Sequence, residues 1–489
     1  MTRPGDTPSV RVFVPLVCLL ACAQPDAPAA QGVAPSTARV ARLDADTDCA
    51  APPTPDTDTD TSDDTDHGSP EHEPYDIRDF ADVESCAGCH PDQYDEWQGS
   101  IHAYSATNPV MWEGSRHIGE TTDQPLNCVG CHAPIATLTA AVRMDQTVSA
   151  KSRLPEAAQH GVSCVSCHKL YDVYEGVNQF THCADHYFGT IADPLETSAH
   201  GSQHSPIHEQ ALVCRSCHNV ENLHRVQVEF TYSEWLEQNF AAGGTEAAPA
   251  IQTCQDCHMP AYTGRAAVGG PDRTLHRHTF IGADVALTPF PDSHRQYREV
   301  EALMRTAASL ALTPIVGDAG LGAVEVAVTN LVEGHDLPSG SAFDRQVWIE
   351  LYVTDGEGRV LLESGALDAN GDLKDWNSAL EPNADPWVAS RQSVFRSYLS
   401  DELGAETFDF IGAARSVSDD SLAAGETRDV RYAFDATGAT WPIVVEARLL
   451  YRPYPPFLLR EHGLDTSVVD AIPIFEVAAE SLVIEEDPR

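Results

Sequence analysis

One short pattern, Cys-x-x-Cys-His, recurs along this chain and constrains its fold more than any other feature. The chain has 489 residues, and the pattern occupies residues 86–90, 128–132, 164–168, 214–218 and 254–258. A single copy would be weak evidence of function, whereas five copies indicate one chemistry used repeatedly. Any fold of this chain must therefore hold five copies of the same site.

The spacing inside the pattern fits covalent attachment of haem. Two thiols about one helical turn apart can bond to the two vinyl groups of one haem, and the adjacent imidazole can bind the iron. The predicted cofactor is therefore haem c, with five copies attached. The attachment residues are Cys86, Cys89, Cys128, Cys131, Cys164, Cys167, Cys214, Cys217, Cys254 and Cys257, and the proximal iron ligands are His90, His132, His168, His218 and His258.

Three other uses of paired cysteines explain the pattern less well. Zinc ribbons pair one Cys-x-x-Cys with another and give no reason for a histidine after every pair. Thioredoxin-like redox motifs occur once, in a βαβ unit that is not apparent here. Disulfides suit an exported protein but do not need a histidine at a constant offset.

The motifs follow one another every few dozen residues, which is too little chain to enclose each haem in its own apolar shell. The haems are therefore expected to pack against one another and to form a path for electrons. No catalytic residue is predicted from the motifs, and none of the five is altered.

The sixth position of each iron is expected to be filled mostly by histidine. Of 21 histidines, five belong to the motifs and eleven others lie between His102 and His278. Methionine, the usual alternative ligand, occurs only five times. This enrichment favours coordination by two histidines.

Several segments resemble the haem domain of the cytochrome c-552/4 (cytochrome c-554-like) family. They are residues 86–103, 161–168, 254–260 and 276–282, and the resemblance covers about residues 82–284. It implies a mostly α-helical domain with little regular sheet and with stacked haems that have two histidine ligands. In the family, a histidine about a dozen residues after the first motif is a distal ligand, and His102 occupies that position.

The other distal ligands are less constrained by the sequence. His200 and His278 lie in loop-like segments close to motifs. Residues 334–340 resemble a module in which a histidine caps a haem across a domain boundary, and His335 is the histidine of this segment. It could also be a turn histidine. The alternates are His160, which is the next choice, His204, His208 and His276, and then His117, His182, His186 and His224.

The C-terminal part of the chain changes from a histidine-rich to a strand-rich pattern. Alternating or β-branched runs occupy residues 323–329, 347–353, 360–363, 428–434 and 443–451. Several short strands separated by turns predict an antiparallel β-sandwich. A helix over about residues 297–312 is expected to link it to the haem domain. The predicted fold class is α+β multidomain, with a mostly α-helical, loop-rich haem domain over 81–295 and the β-sandwich domain over 296–489.

The N-terminal segment is typical of an exported lipoprotein. Residues 1–22 combine a basic start, a short apolar stretch and a lipobox that ends at Cys22, the predicted lipidation site. Residues 23–80 form an acidic tether rich in Pro, Thr and Asp, which is expected to be disordered. The predicted location is extracytoplasmic, anchored by lipid to a bacterial membrane in the periplasm or at the outer membrane.

The acidic balance of the chain limits its partners. With 74 acidic and 30 basic residues, the net charge is −44. This charge excludes nucleic acid and favours redox partner proteins with a positive docking patch. Two cysteines of the mature chain lie outside the motifs and the lipobox, Cys49 and Cys183, and they could form a disulfide in an oxidising compartment.

Two classes of function remain open. In the first, every haem has two axial ligands and the protein carries electrons. In the second, one haem keeps an open site, and the protein is an oxidoreductase that acts on a small nitrogen or sulfur compound. The unaltered motifs and the abundance of histidine favour the carrier.

Overall fold

The structure is a computed structural model that describes most of the chain after residue 74. The described residues are 75–80, 82–121, 128–141, 154–174, 177–180, 186–195, 197–222, 224–317, 320–374, 378–380 and 394–486. The predicted signal segment, Cys22, most of the tether, Cys49 and Cys183 lie outside these residues. Within them, no helix is both long enough and apolar enough to cross a membrane.

The haem segment is built from short helices. In chain order, α1–α10 are Val83–Ala87, Pro91–Gln98, Ile101–Tyr104, Pro109–Thr121, Cys128–His132, Pro134–Leu138, Cys164–His168, Thr231–Ala241, Cys254–His258 and Ser293–Met304. Helices α5, α7 and α9 are each a single turn that contains a whole motif. A capping box begins two of them, because Ser166 and Asp256 accept hydrogen bonds from the backbone N–H groups of Ser163 and Thr253. Each cap fixes the turn that presents both cysteines.

Four small two-stranded sheets also lie in the haem segment, although little regular sheet was expected there. The strands β1–β8 are Leu170–Tyr174, Val177–Phe180, His186–Gly189, Gly201–His204, Val220–Glu221, Gln227–Glu229, Ala261–Arg265 and Asp272–His276. They pair in sequence order, and the pair β3–β4 is parallel. Strands of two to five residues carry no periodic pattern, so tertiary contacts rather than the sequence pattern decide where they form.

The C-terminal region contains three antiparallel sheets. Its strands β9–β19 are Ala308–Gly317, Gly320–Asn330, Gln346–Thr354, Val360–Ser364, Val394–Phe395, Ser397–Ser400, Glu406–Thr407, Arg415–Asp419, Thr427–Ala433, Ile443–Arg452 and Phe475–Ile484. Two helices follow β18, α11 over Pro456–Glu461 and α12 over Thr466–Val469. The sheet orders are β17-β10-β9, β12-β11-β18-β19 with β13 beside β11, and β15-β14-β16. All five predicted strand runs are found in strands.

One hydrophobic cluster joins the two larger sheets of this region. Val326 of β10 and Val430 of β17 contribute to it from one sheet, and Ile349 of β11 and Leu449 of β18 from the other. Val430 lies between exposed side chains in β17, and Leu449 ends an alternating run in β18, as period-two patterning requires. The two sheets therefore share one apolar core.

The linking helix is shorter than the sequence pattern predicted. Helix α10 ends at Met304, and residues 308–317 form β9, which pairs with β10 along its whole length. The prediction of a helix to residue 312 was therefore wrong. Apolar side chains alternate from Ala308 to Leu312, and Pro314 cannot continue a helix.

Polar contacts hold the C-terminal region against the haem segment. Asn222 donates from Nδ2 to the carbonyl oxygens of Phe410 and Ala413, both at 2.8 Å. The Ser339 hydroxyl lies 2.5 Å from Glu234 Oε2, which also accepts from the Asp336 N–H. These contacts fix the loop that contains His335 against helix α8.

Candidate haem-binding site

A single large cavity contains side chains from all five motifs. Its volume is about 1780 Å³, and Phe180, Tyr187, Phe188 and Phe280 are among the aromatic residues on its walls. Side chains from the C-terminal region, including His335, complete the wall. One continuous cavity fits cofactors that pack against one another, whereas isolated cofactors would need five separate pockets.

The ten motif cysteines are all free thiols in the structure. Nor do three or more His, Cys, Asp or Glu side chains converge as a metal-ion site anywhere in the described part of the chain. The cysteines are therefore available for thioether bonds. This arrangement fits haem attachment better than a zinc or disulfide framework.

Contacts between sulfur atoms show which motifs are neighbours. The Cys86 thiol interacts with that of Cys164, and the Cys131 thiol interacts with that of Cys217. Cys217 also interacts electrostatically with Cys167. These sulfurs stand in for thioethers, so the contacts report proximity only. The first motif thus neighbours the third, the third neighbours the fourth, and the second also neighbours the fourth.

The fifth motif joins the same arrangement through the fourth. The Cys214 thiol interacts with that of Cys254, so the fourth and fifth motifs are neighbours. The fourth motif therefore contacts the second, the third and the fifth. It is the junction of the cavity.

Four of the motif histidines face a second histidine ring across the cavity. The ring centroids are 6.2 Å apart for His90 and His200, and 6.5 Å apart for His102 and His218. They are 6.3 Å apart both for His168 and His278 and for His258 and His335. Interplanar angles are 18° to 28° for three pairs and 43° for His102 and His218.

This separation is the one that two imidazoles on opposite faces of an iron require. A metal ion holds an imidazole nitrogen at about 2 Å, and the ring centre lies roughly 1.2 Å behind that nitrogen. Two ligands of one iron would thus have centroids about 6.4 Å apart. The four pairs fit a haem, since van der Waals stacking alone would bring the rings closer.

Backbone carbonyl groups orient three of the motif histidines. The Nδ1 atom of His90 lies 2.5 Å from the Ala266 carbonyl oxygen, and that of His258 lies 2.5 Å from the Ile281 carbonyl oxygen. The corresponding contact of His168, to the Phe188 carbonyl oxygen, is 2.6 Å. A donated Nδ1–H leaves Nε2 free to bind a metal.

Burial keeps three of the facing histidines, His102, His278 and His335, neutral, as metal binding requires. Desolvation lowers the pKa of His102 to about 3 and the pKa values of His278 and His335 to about 4. His218 differs. Desolvation lowers its pKa as well, but the Glu229 carboxylate outweighs this effect and raises the pKa to about 9.

Backbone contacts also hold two of the distal candidates in place. The His102 carbonyl oxygen accepts from the Val162 N–H at 2.9 Å, and an added Cβ at Gly161, whose φ is +70°, would clash with it. The His278 N–H donates to the buried Glu96 carboxylate at 2.8 Å. The glycine before the third motif therefore permits the close approach of His102.

His132, in the second motif, has no facing histidine among the described residues. Its carbonyl oxygen accepts from the Ser105 hydroxyl at 2.7 Å, but its buried Nδ1 has no hydrogen-bond partner. His117 and His462 stack on each other with centroids 4.8 Å apart, which is too close for an iron between them. The site of His132 is thus unlike the other four.

The remaining candidates from the sequence have other contacts. His160 lies 3.8 Å from the Asp82 carboxylate and does not stack on a motif histidine, and His208 stacks on His168 but directs Nε2 to the Cys167 carbonyl oxygen. The contacts of His186, His204, His224 and His276 are with Gln203, Glu209, Asn222 and Met259, respectively. His182 lies outside the described residues.

Comparisons with known proteins agree with this site. The family described as "Cytochrome c554 and c-prime" matches residues 85–169, which contain the first three motifs. Over these residues, the chain is similar to a c-type cytochrome of this family. No curated protein matches the chain by sequence.

A solved structure shares the fold of the chain. The penta-haem cytochrome c552 from Thermochromatium tepidum superposes with a TM-score of 0.58 and 22% sequence identity. The match covers 83% of this chain and 100% of that chain. The similarity therefore extends beyond the haem segment into the C-terminal region.

Proposed function

We propose that this cytochrome transfers electrons through five covalently attached haems c. The observation that carries the proposal is the set of four histidine pairs at the spacing of two ligands of one iron. Each pair includes one motif histidine, and each motif supplies two free thiols to the same cavity. When bound, a haem iron of this type accepts and releases one electron without exchanging its ligands.

The residues proposed to hold each haem follow from the pairs. His90 with His200, His168 with His278, His218 with His102 and His258 with His335 would be the axial ligands, each next to its own cysteine pair. His132 would be the proximal ligand of the fifth haem. His160, a candidate from the sequence, has no such place in this scheme.

Haem content tests the number of sites. We expect five haems per chain from the pyridine haemochrome absorbance, and a protein mass that includes five covalent haems. Reversible reduction with dithionite should change the absorbance of all five. Fewer than five haems in fully matured protein would contradict the proposal.

A second candidate function, an oxidoreductase with one open haem, is favoured by the site of His132. Every other motif histidine faces a second histidine, but His132 faces none within the described part of the chain. Arg345 and Tyr451 contribute polar groups from the C-terminal region to the same cavity. A small nitrogen or sulfur compound would be the substrate class of such a site.

Carbon monoxide distinguishes the two functions. If one haem is open, the reduced protein should bind carbon monoxide at about one haem in five, because the other four irons would have two histidine ligands. The oxidised protein would then show one high-spin signal by EPR. If carbon monoxide binds no haem, a ligand from outside the described residues fills the site of His132, and only the electron carrier remains.

We further propose that the cytochrome is anchored by lipid at Cys22 and held off the membrane by residues 23–80. Mass spectrometry of protein from its native membrane tests the anchor, since an N-terminus other than acylated Cys22 would contradict it.

The net charge of −44 supports a redox partner with a positive docking patch. We also propose that the two larger C-terminal sheets are the layers of a β-sandwich.

A further inference from the structure

The motif histidines differ in the group that faces Nδ1. For His90, His168 and His258 that group is a neutral backbone carbonyl. For His218 it is a carboxylate, because Glu229 Oε1 lies 3.8 Å from Nδ1, an ion-pair separation. His218 is thus distinguished from the other three by a negative charge behind its ring.

Glu229 is held in this position by contacts from two parts of the molecule. It ends strand β6, and its Oε1 accepts a hydrogen bond from the Thr231 hydroxyl at 2.9 Å. On the other side, a Cβ at Gly340 would lie 2.8 Å from Oε2. Gly340 has a φ of +76°, and because it has no side chain, the backbone of the C-terminal region lies directly against the carboxylate. The Glu229 side chain is only 18% exposed.

Among the described residues, no cation is dedicated to Glu229. Arg345 interacts with it electrostatically, but the guanidinium is paired with Asp284, with 3.0 Å between Nη2 and Oδ2. Asp344 lies beside the same arginine, and burial raises its pKa to about 7. Glu229 and Asp284 therefore share one guanidinium in the wall of the cavity near the fourth motif.

We propose that Glu229 is a positioning residue for His218 that lowers the midpoint potential of the haem at the fourth motif. The inference rests on the proposed electron-transfer function. A carboxylate behind a ligating imidazole fixes the ring and makes the nitrogen a stronger donor. Its negative charge also stabilises the ferric iron, which carries one more positive charge than the ferrous iron. Both effects favour the oxidised state.

The position of this site gives the tuning a consequence for electron flow. The fourth motif contacts the second, third and fifth motifs through Cys217 and Cys214. A haem with a lower midpoint potential at the junction stays oxidised while the other haems hold electrons. Electrons would therefore be stored on the branches and would pass through the junction only in transit.

Replacement of Glu229 by glutamine tests the inference. Glu229→Gln keeps the shape and the acceptor oxygen but removes the charge. We expect one of the haem couples to move upward by about 59 mV, which is a tenfold change in the equilibrium constant for one-electron reduction. Potentials are measured by spectroelectrochemical titration of the full chain, and five haems and a low-spin spectrum at this site should remain.

Two further variants make the result specific. Glu237→Gln removes an exposed carboxylate from helix α8 and should leave every couple unchanged. Thr231→Val leaves the carboxylate in place without its donor, so the same couple should move downward or stay. An unchanged titration curve for Glu229→Gln, an equal shift in Glu237→Gln, or an upward shift in Thr231→Val would overturn the inference. A haem content below five in the unmodified protein would instead contradict the proposed function.

Discussion

Replacement of His335 by alanine is expected to leave five haems attached and to convert one of them from low-spin to high-spin. The His335 ring faces that of His258 at 6.3 Å with an interplanar angle of 18°. Its Nδ1 lies 2.8 Å from the Asp336 carbonyl oxygen, which orients Nε2 toward the cavity. Alanine offers the iron no ligand, so carbon monoxide should bind one more haem than in the unmodified protein.

His462→Ala is the matched control for this prediction. His462 is the other histidine of the C-terminal region and also borders the cavity, but it stacks on His117 rather than facing a motif histidine. We expect its replacement to leave the low-spin spectrum unchanged. If His335→Ala remains fully low-spin, His335 is not the partner of His258, and the proposed pairing is wrong at this site.

The result would define the role of the C-terminal region. The loop of His335 is fixed by Glu234, whose Oε2 accepts from the Asp336 N–H at 3.2 Å and lies 2.5 Å from the Ser339 hydroxyl. The same loop brings Gly340 against Glu229. One loop of the C-terminal region thus contains one proposed axial ligand, His335, and contacts the surroundings of another, His218. Under the proposed function, this region is part of the redox site.

The sequence predicted the attachment sites because the chemistry of attachment is local. Two cysteines and a histidine within five residues carry the whole signal, and the structure places all five copies around one cavity. His102, His200, His278 and His335 were distal candidates from position and resemblance, and each faces a motif histidine in the structure. Whether each binds iron remains a prediction for the spectra.

The pairing of histidines could not be read from the sequence. His102 follows the first motif closely, yet it faces His218 of the fourth motif, and His200 faces His90 of the first. Such partners are set by how the one-turn helices pack around the cavity, not by distance along the chain. His160 shows the converse, since it lies close to the third motif in sequence but faces Asp82.

Glu229 was missed for a related reason. The chain has 74 acidic residues, and the sequence around Glu229 does not distinguish it from the others as the proposed partner of His218. Its position depends on β6, on Thr231 and on the approach of Gly340. The C-terminal end of the linking helix was also misjudged, because pairing with β10 places residues 308–312 in strand β9.

Removal of the haem at the third motif is expected to have the largest effect on electron movement within the molecule. Cys164→Ser with Cys167→Ser should reduce the haem content from five to four. Cys164 neighbours Cys86, and Cys167 neighbours Cys217, so the third motif joins the first to the junction. Without it, an electron on the first site has no adjacent acceptor in the described cavity.

Pulse radiolysis with less than one electron per molecule measures this effect, since it follows redistribution among haems without an external donor. We expect a slow phase of redistribution that the unmodified protein lacks. Cys128→Ser with Cys131→Ser is the control, because the second motif interacts with the fourth through Cys217 and His218, and the contacts that join the other four sites do not pass through it. That variant should also carry four haems but redistribute electrons without the slow phase. Equal kinetics in the two variants would mean that the first site reaches the junction by another route, and the connectivity derived from the sulfur contacts would have to be abandoned.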